Sequence, residues 1–254
     1  MLRNRVIPVL LLDGSGLVKT IRFSDPIYVG DPVNAVKIFN EKEVDEIVLL
    51  DIGVGDSGRG PNFDLISDVA SECFMPLAYG GGIRGVDDAR KLFSLGVEKV
   101  VLRRVAAQNE SVVSEIVGWA GASSVAISVD VRTPKFGKPH LYNPGTRVHK
   151  SPHVVQFVEK MISCGAGEIF LNAVDRDGTR TGMDLRLIRE IADVVSVPLV
   201  AIGGVGSVDD IVAGIEAGAD AVGAGSFFIF HGPRRAVLLT YPRYEELVGR
   251  LGNK

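Results

Sequence analysis

Pro76-Leu77-Ala78-Tyr79-Gly80-Gly81-Gly82-Ile83 returns later in the chain as Pro198-Leu199-Val200-Ala201-Ile202-Gly203-Gly204-Val205. In both stretches a short apolar run ends in glycines. An acidic helix start follows each, Val86-Asp87-Asp88 and Val208-Asp209-Asp210. A buried strand feeding a glycine turn and a helix N-terminus suits phosphate binding. Glycine lets the backbone approach the ligand, and free N–H groups with the helix dipole favour an anion. The alternative is that the glycines only make tight turns.

The offset from Pro76 to Pro198 is 198 − 76 = 122 residues. The same offset pairs Gly96 with Gly218, Glu46-Ile47 with Glu168-Ile169, Leu49 with Leu171, Gly60 with Gly182 and Ile66 with Ile188. The match runs over most of residues 46–104 against 168–226. Near the N-terminus the register shifts by three, so that Arg5-Val6-Ile7-Pro8-Val9-Leu10-Leu11 lies on Ser124-Val125-Ala126-Ile127-Ser128-Val129-Asp130. The chain reads as two homologous halves, about 1–120 and 121–254. This period far exceeds the roughly 20–50 residues of a solenoid repeat.

The 254 residues are enough for one large α/β domain or two small ones. Thirty glycines and a mean hydropathy of +0.23 suit an α/β enzyme with many tight turns. A net charge of −3 gives no reason to expect nucleic acid. No apolar stretch reaches the roughly 18 residues of a membrane span. The N-terminus opens directly on a strand pattern without a signal-peptide cleavage site. Cys73 and Cys164 lack metal-like spacing and read as reduced core residues of a cytosolic protein.

Eight apolar runs are expected as strands: Val6–Leu12, Glu46–Asp51, Pro76–Tyr79, Glu98–Leu102, Ser124–Val131, Glu168–Val174, Pro198–Ile202 and Ala219–Ala224. Helical segments follow them, one capped by Asn62 and others ended by Gly96 and Gly218. Residues 13–31 read as a long loop carrying Lys19. A second long loop spans Arg132–Lys150, and an ordered loop of that length is usually functional. Near-continuous apolar strands are buried on both faces, as in a parallel sheet. With the twofold repeat, this predicts a closed (β/α)8 TIM barrel, one domain made of two half-barrels. A doubly wound open sheet is the rival.

In such a barrel the site lies at the C-terminal strand ends. The repeat then sets the two glycine turns opposite each other, flanked by Arg103-Arg104 and by Gly225-Ser226. Two anion sites on one mouth suit a ligand with a phosphate at each end. Asp130, Asp51, Asp177 and Lys19 lie between them. Asp130 ends a largely apolar run, so burial should raise its pKa and fit it for general acid/base work. It would otherwise be satisfied by loop amides. Asp51 and Asp177 read equally as loop caps, and Lys19 either closes over a phosphate or is solvated. The register sets Leu11 against Asp130, and an aliphatic side chain cannot transfer a proton. At the opposite face, strand starts carry Arg5, Glu46, Lys99 and Glu168, which predicts a mixed-charge ring or ordinary stabilising pairs. No metal set is expected.

Arg5-Val6-Ile7-Pro8, Gly30-Asp31-Pro32, Leu50-Asp51-Ile52, Gly80-Gly81-Gly82-Ile83, Asp175-Arg176-Asp177-Gly178-Thr179 and Gly203-Gly204 together resemble the cyclase subunit of imidazole glycerol phosphate synthase. The resemblance spans essentially the whole chain. It implies a (β/α)8 barrel that binds a bis-phosphorylated ribonucleotide and needs no cofactor. A glutaminase partner docked at the bottom face would send ammonia through the barrel. The products would be imidazole glycerol phosphate and an aminoimidazole carboxamide ribonucleotide. The family's second catalytic aspartate falls on Asp130, and its loop lysine on Lys19. Its gate charges fall on Arg5, Glu46, Lys99 and Glu168. Its phosphate turns fall on Gly81-Gly82, Asp177-Gly178, Gly203-Gly204 and Gly225-Ser226.

Two positions depart from the family pattern. The first catalytic aspartate is Leu11, and an Asn-Thr of one phosphate site is Arg103-Arg104. Losing one of two carboxylates costs about 10²–10⁴-fold in general acid–base catalysis. The pattern resembles the family's divergent branch, which accompanies surface-polysaccharide genes and implies ammonia supply for an amidino sugar made by another enzyme. An authentic histidine-pathway cyclase is the alternative. A sugar-phosphate isomerase without a partner is the third reading, and Leu11 counts against it.

Overall fold

The apolar runs become strands because both their faces are covered. In the computed structural model, which describes residues 4–54, 59–134, 138–142, 153–232 and 234–252, eight strands form the frame. They are β1 (Arg5–Asp13), β2 (Ile47–Asp51), β3 (Leu77–Gly80), β4 (Lys99–Leu102), β5 (Val125–Arg132), β6 (Glu168–Ala173), β7 (Leu199–Ile202) and β8 (Ala221–Ala224). Each pairs in parallel with the next. β8 returns to β1 through Arg5↔Ala221 to Pro8↔Ala224, closing a (β/α)8 barrel and excluding the open sheet.

Strand residues alternate between two separate apolar clusters. Ile7, Val9, Val48, Ala78, Val101, Ala126, Phe170 and Val200 fill the barrel interior. Val6, Leu10, Leu12, Leu49, Tyr79 and Leu171 pack under the helices. The period of two is therefore present, but with apolar residues at both phases. Phe170 is the bulkiest interior side chain, and its loss to alanine should cost about 3–5 kcal/mol.

The strand register carries the internal repeat. Leu11 pairs with Leu50, Leu50 with Gly80 and Gly80 with Val101. Asp130 pairs with Asn172, Asn172 with Ile202 and Ile202 with Gly223. Leu50, Gly80 and Val101 each lie 122 residues before their counterparts Asn172, Ile202 and Gly223. Leu11 and Asp130 thus hold equivalent places in the two halves, as the sequence offset predicts.

The helices on the outside are α1 (Pro32–Asn40), α2 (Phe63–Glu72), α3 (Val86–Ser94), α4 (Arg104–Gln108), α5 (Ser111–Ala120), α6 (Val154–Ser163), α7 (Leu185–Ala192), α8 (Val208–Glu216), α9 (Ser226–Ile229) and α10 (Tyr244–Leu251). Asn62 caps α2 by accepting from the Leu65 N–H at 3.3 Å. Ser207 and Asp210 form a capping box on α8. Among the described residues no helix is long and apolar enough to cross a membrane.

Three expectations are corrected. Residues 13–31 are not a loop. Gly16–Ile21 pairs antiparallel with β1 through the Gly14-Ser15 turn, and then with Ser24–Gly30. The single helical segment expected after Glu98–Leu102 is broken into α4 and α5 at Asn109, whose side chain accepts from the Ser111 N–H and hydroxyl. Cys73 and Cys164 are free, but half-buried at helix ends rather than core. The long loop after Arg132 begins with His140-Leu141 paired back on β5, and most of its remainder lies outside the described residues.

Candidate functional site

The inward phase of each strand continues past the apolar core to the C-terminal ends. Leu11 follows Val9, Leu50 follows Val48, Arg103 follows Val101, Ser128 and Asp130 follow Ala126, and Asn172 follows Phe170. These side chains floor a cavity of about 550 Å³. Its walls include Lys19, Asp51, Gly81-Gly82, Arg104, Asp177-Gly178, Gly203-Gly204 and Gly225-Ser226. The sequence-predicted mouth residues therefore line one space.

Asp130 is buried, and its carboxylate is ion-paired with Arg103 Nε. Ser128 Oγ donates to Asp130 Oδ1 at 3.1 Å. Burial pushes the Asp130 carboxyl above the usual range, while the Arg103 charge and the Ser128 hydrogen bond oppose it. Arg103 Nη2 also donates to the Tyr142 carbonyl at 2.9 Å, and the Tyr142 N–H donates to the Asp130 carbonyl at 2.7 Å. Arg103 thus points inward and is held on two sides. Arg104, one residue on, is exposed.

Lys19 does not ride on a loop; it is a buried strand residue of the hairpin, with Nζ 3.4 Å from Asp177 Oδ1. Asp177 anchors the hairpin tip. It accepts from Thr20 Oγ1 at 2.7 Å and the Phe23 N–H at 3.3 Å, and its carbonyl accepts from the Arg22 N–H at 3.0 Å. The turn residues Arg22 and Phe23 both have positive φ, 53° and 62°, a conformation that few non-glycine residues adopt. Asp51 accepts from the Gly53 N–H at 3.0 Å, so its carboxylate orders its own loop. Burial raises its pKa, against the Gly53 and Val54 amides.

The glycine turns are equivalent in detail. Gly81 and Gly203 have φ of +121° and +106°. A Cβ on either would stand 2.3 Å from the Asp51 carbonyl or 2.8 Å from that of Ala173. Both turns thus press on the end of the preceding strand, which forbids a side chain whether or not an anion binds.

At the other end the inward phase gives a closed ring of charge. Arg5 contacts Glu46 and Glu168 at 2.5 Å each. Lys99 contacts the same two carboxylates at 3.1 and 2.5 Å. Both glutamates are buried. Burial works to lower the Arg5 pKa, but Glu168 and Glu46 together raise it.

A family model described as "Histidine biosynthesis protein" matches residues 5–233. This chain belongs to that family. Its relatives include a protein of Pseudomonas aeruginosa provisionally named imidazole glycerol phosphate synthase subunit hisF2. The two are 48% identical over 250 residues, covering 97% of this chain and 99% of that one. A provisionally named imidazole glycerol phosphate synthase subunit HisF of Leptospira borgpetersenii is 44% identical over 95% of this chain and 96% of its own length. A similarly named hisF3 of Vibrio vulnificus is 44% identical over 97% and 95%. This histidine-biosynthesis-family barrel is thus similar over nearly its whole length to proteins provisionally named as HisF subunits.

Sequence reading missed Thr20, Phe23, Tyr142 and Asn172 as residues of this family member's mouth. The 122-residue offset gave one usable signal, because it sets Asn172 on the inward Leu50. Thr20 and Phe23 gave none, since their place depends on the distant Asp177.

Proposed function

We propose that this chain is the barrel subunit of a cytoplasmic glutamine amidotransferase. A glutaminase docks at the face bearing the Arg5–Glu46–Lys99–Glu168 ring and releases ammonia there. Neutral ammonia passes the ring and crosses the apolar interior, where an ammonium ion would be strongly disfavoured. It leaves at the mouth for another enzyme, which uses it to make an amidino sugar of surface polysaccharide synthesis. The whole chain, residues 1–254, acts as one barrel unit with weak cyclase activity of its own.

The observation that carries this reading is the contrast between the barrel ends. Four charged groups close the bottom ring completely. At the mouth, Leu11 stands at the place equivalent to Asp130, and Asp130 is itself ion-paired. Leucine cannot transfer a proton, so these two places offer one carboxyl where a two-acid site has two. The test is glutamine hydrolysis with the glutaminase present, alongside cyclisation of the bis-phosphorylated ribonucleotide with added ammonium. Coupled hydrolysis with little cyclisation is expected. Cyclase turnover near that of a two-aspartate enzyme would overturn the reading.

The second reading, an authentic imidazole glycerol phosphate synthase cyclase, has the retained Asp130 and the relatives' names in its favour. It requires this chain to support growth of a histidine-requiring strain that lacks its own cyclase. Asp130→Asn should then abolish that growth, and a mutant growing as well as its parent would dismiss Asp130 as the acid.

A further inference from the structure

Because both halves of the mouth share one register, equivalent places can be compared directly. Arg103 stands at the end of β4, and the residue 122 later at the end of β8 is Gly225. On the neighbouring strands stand Asp130 in β5 and its equivalent Leu11 in β1. One seam between the halves therefore carries arginine beside aspartate, and the other seam glycine beside leucine.

The two seams dispose of their cations differently. Arg103 crosses to β5, where Asp130 and the Tyr142 carbonyl hold its guanidinium. Over Gly225, the space is taken by Lys19: a Cβ on Gly225 would stand 2.7 Å from Lys19 Cε and 2.9 Å from Nζ. This ammonium is 5% exposed, and Asp177 takes one of its three donors at 3.4 Å. That distance is longer than the about 2.7–2.9 Å of a firm charge-assisted bond. The Gly203-Gly204 turn lines the same cavity. Asn172 adds an independent sign of a ligand. It is 8% exposed and lines the cavity, and its Oδ1 has no hydrogen-bond partner.

We propose that the mouth takes a ligand with one phosphate group rather than two, and that Arg103 is the residue that sets this limit. The phosphate sits at Gly203-Gly204 and Gly225 under Lys19. The uncharged, hydroxyl-rich remainder reaches Asn172 and ends against the Arg103–Asp130 pair. A second phosphate at the Gly81-Gly82 turn would draw Arg103 away and leave Asp130 buried without its ion-pair partner. The ligand class is a phosphate monoester of a polyhydroxy compound. This inference needs no glutaminase and no ammonia transfer, so it stands apart from the function proposed above.

The test is titration of the full-length chain with inorganic phosphate, read by calorimetry for stoichiometry and by crystallography for position. One phosphate per chain is expected, beside Gly203 and Lys19. Lys19→Met should weaken it by about tenfold or more. Arg103→Gly, which makes the halves alike, should raise the count to two. Should Lys19→Met fail to fold, as judged by circular dichroism, Gly225→Ala crowds the same ammonium and should weaken binding likewise. A further arm compares fructose 6-phosphate with fructose 1,6-bisphosphate. The second phosphate should add nothing in the wild-type chain and about tenfold in Arg103→Gly. Two phosphates on the wild-type chain, an adventitious ion only, or binding indifferent to Lys19 would each overturn the proposal.

Discussion

Burial and Arg103 act against each other on the protonation of Asp130. The carboxyl already titrates above its usual range because it is buried, and the arginine is the main opposing influence. Replacing Arg103 with glutamine should drive it higher still. A carboxyl whose folded pKa exceeds its unfolded value of about 3.9 holds its proton more tightly when folded. Its penalty is absent below that unfolded value and grows as pH rises through the folded pKa. Arg103→Gln should therefore cost about 3 kcal/mol at pH 7 and progressively less toward pH 4. Urea unfolding at several pH values checks this, and a cost independent of pH would dissociate Arg103 from the titration of Asp130. The inward aim of Arg103 was not legible in the sequence. A run such as Val100–Leu102 is apolar at both phases, and nothing within it says which phase faces the axis. Once Val101 is known to point inward, the period of two carries Arg103 toward the axis. Leu11 opposite Asp130, by contrast, was legible from the offset alone.

Among the elements, the hairpin over the mouth depends most on distant contacts. Its tip turns on two residues with positive φ, so it persists because Asp177 holds Thr20, Arg22 and Phe23 from far along the chain. Such support carries no signal within residues 13–31, and they read as a loop. The Gly14-Ser15 turn was the one local hint, a short glycine-containing link between strands. Two glycines should separate local strain from docking. Gly14 (φ +66°) has open space beside it, and Gly14→Ala should cost about 1 kcal/mol from its backbone alone. Gly178 (φ +69°) lies where a Cβ would meet the Thr20 carbonyl at 2.1 Å. Gly178→Ala should cost about 3 kcal/mol or more, with faster amide exchange in the hairpin. Equal losses in urea unfolding would mean that the hairpin does not bear on Gly178.

Across the whole molecule, the bottom ring makes a prediction that isolated ion pairs do not. Each glutamate faces both cations, and the glutamates also repel each other. Glu46→Gln and Glu168→Gln should each cost about 3 kcal/mol. The double variant should cost more than both together, because the repulsion between the acids is relieved only once. A double-mutant cycle by chemical denaturation gives this coupling, and strict additivity would mean that the ring acts as unconnected pairs. The ring and the closed barrel were legible early, since strand starts, offset and period all agreed. The seam between the halves has its own consequence. Arg103–Asp130, Lys19–Asp177, Arg5–Glu168 and Lys99–Glu168 all join a residue of one half to a residue of the other. Fusing two copies of the second half would give Asp130 twice with no Arg103 to meet it. Fusing two copies of the first would give two arginines facing leucines. The backbone still keeps a duplicated ancestor's symmetry, but the charges have made each half the obligate complement of the other.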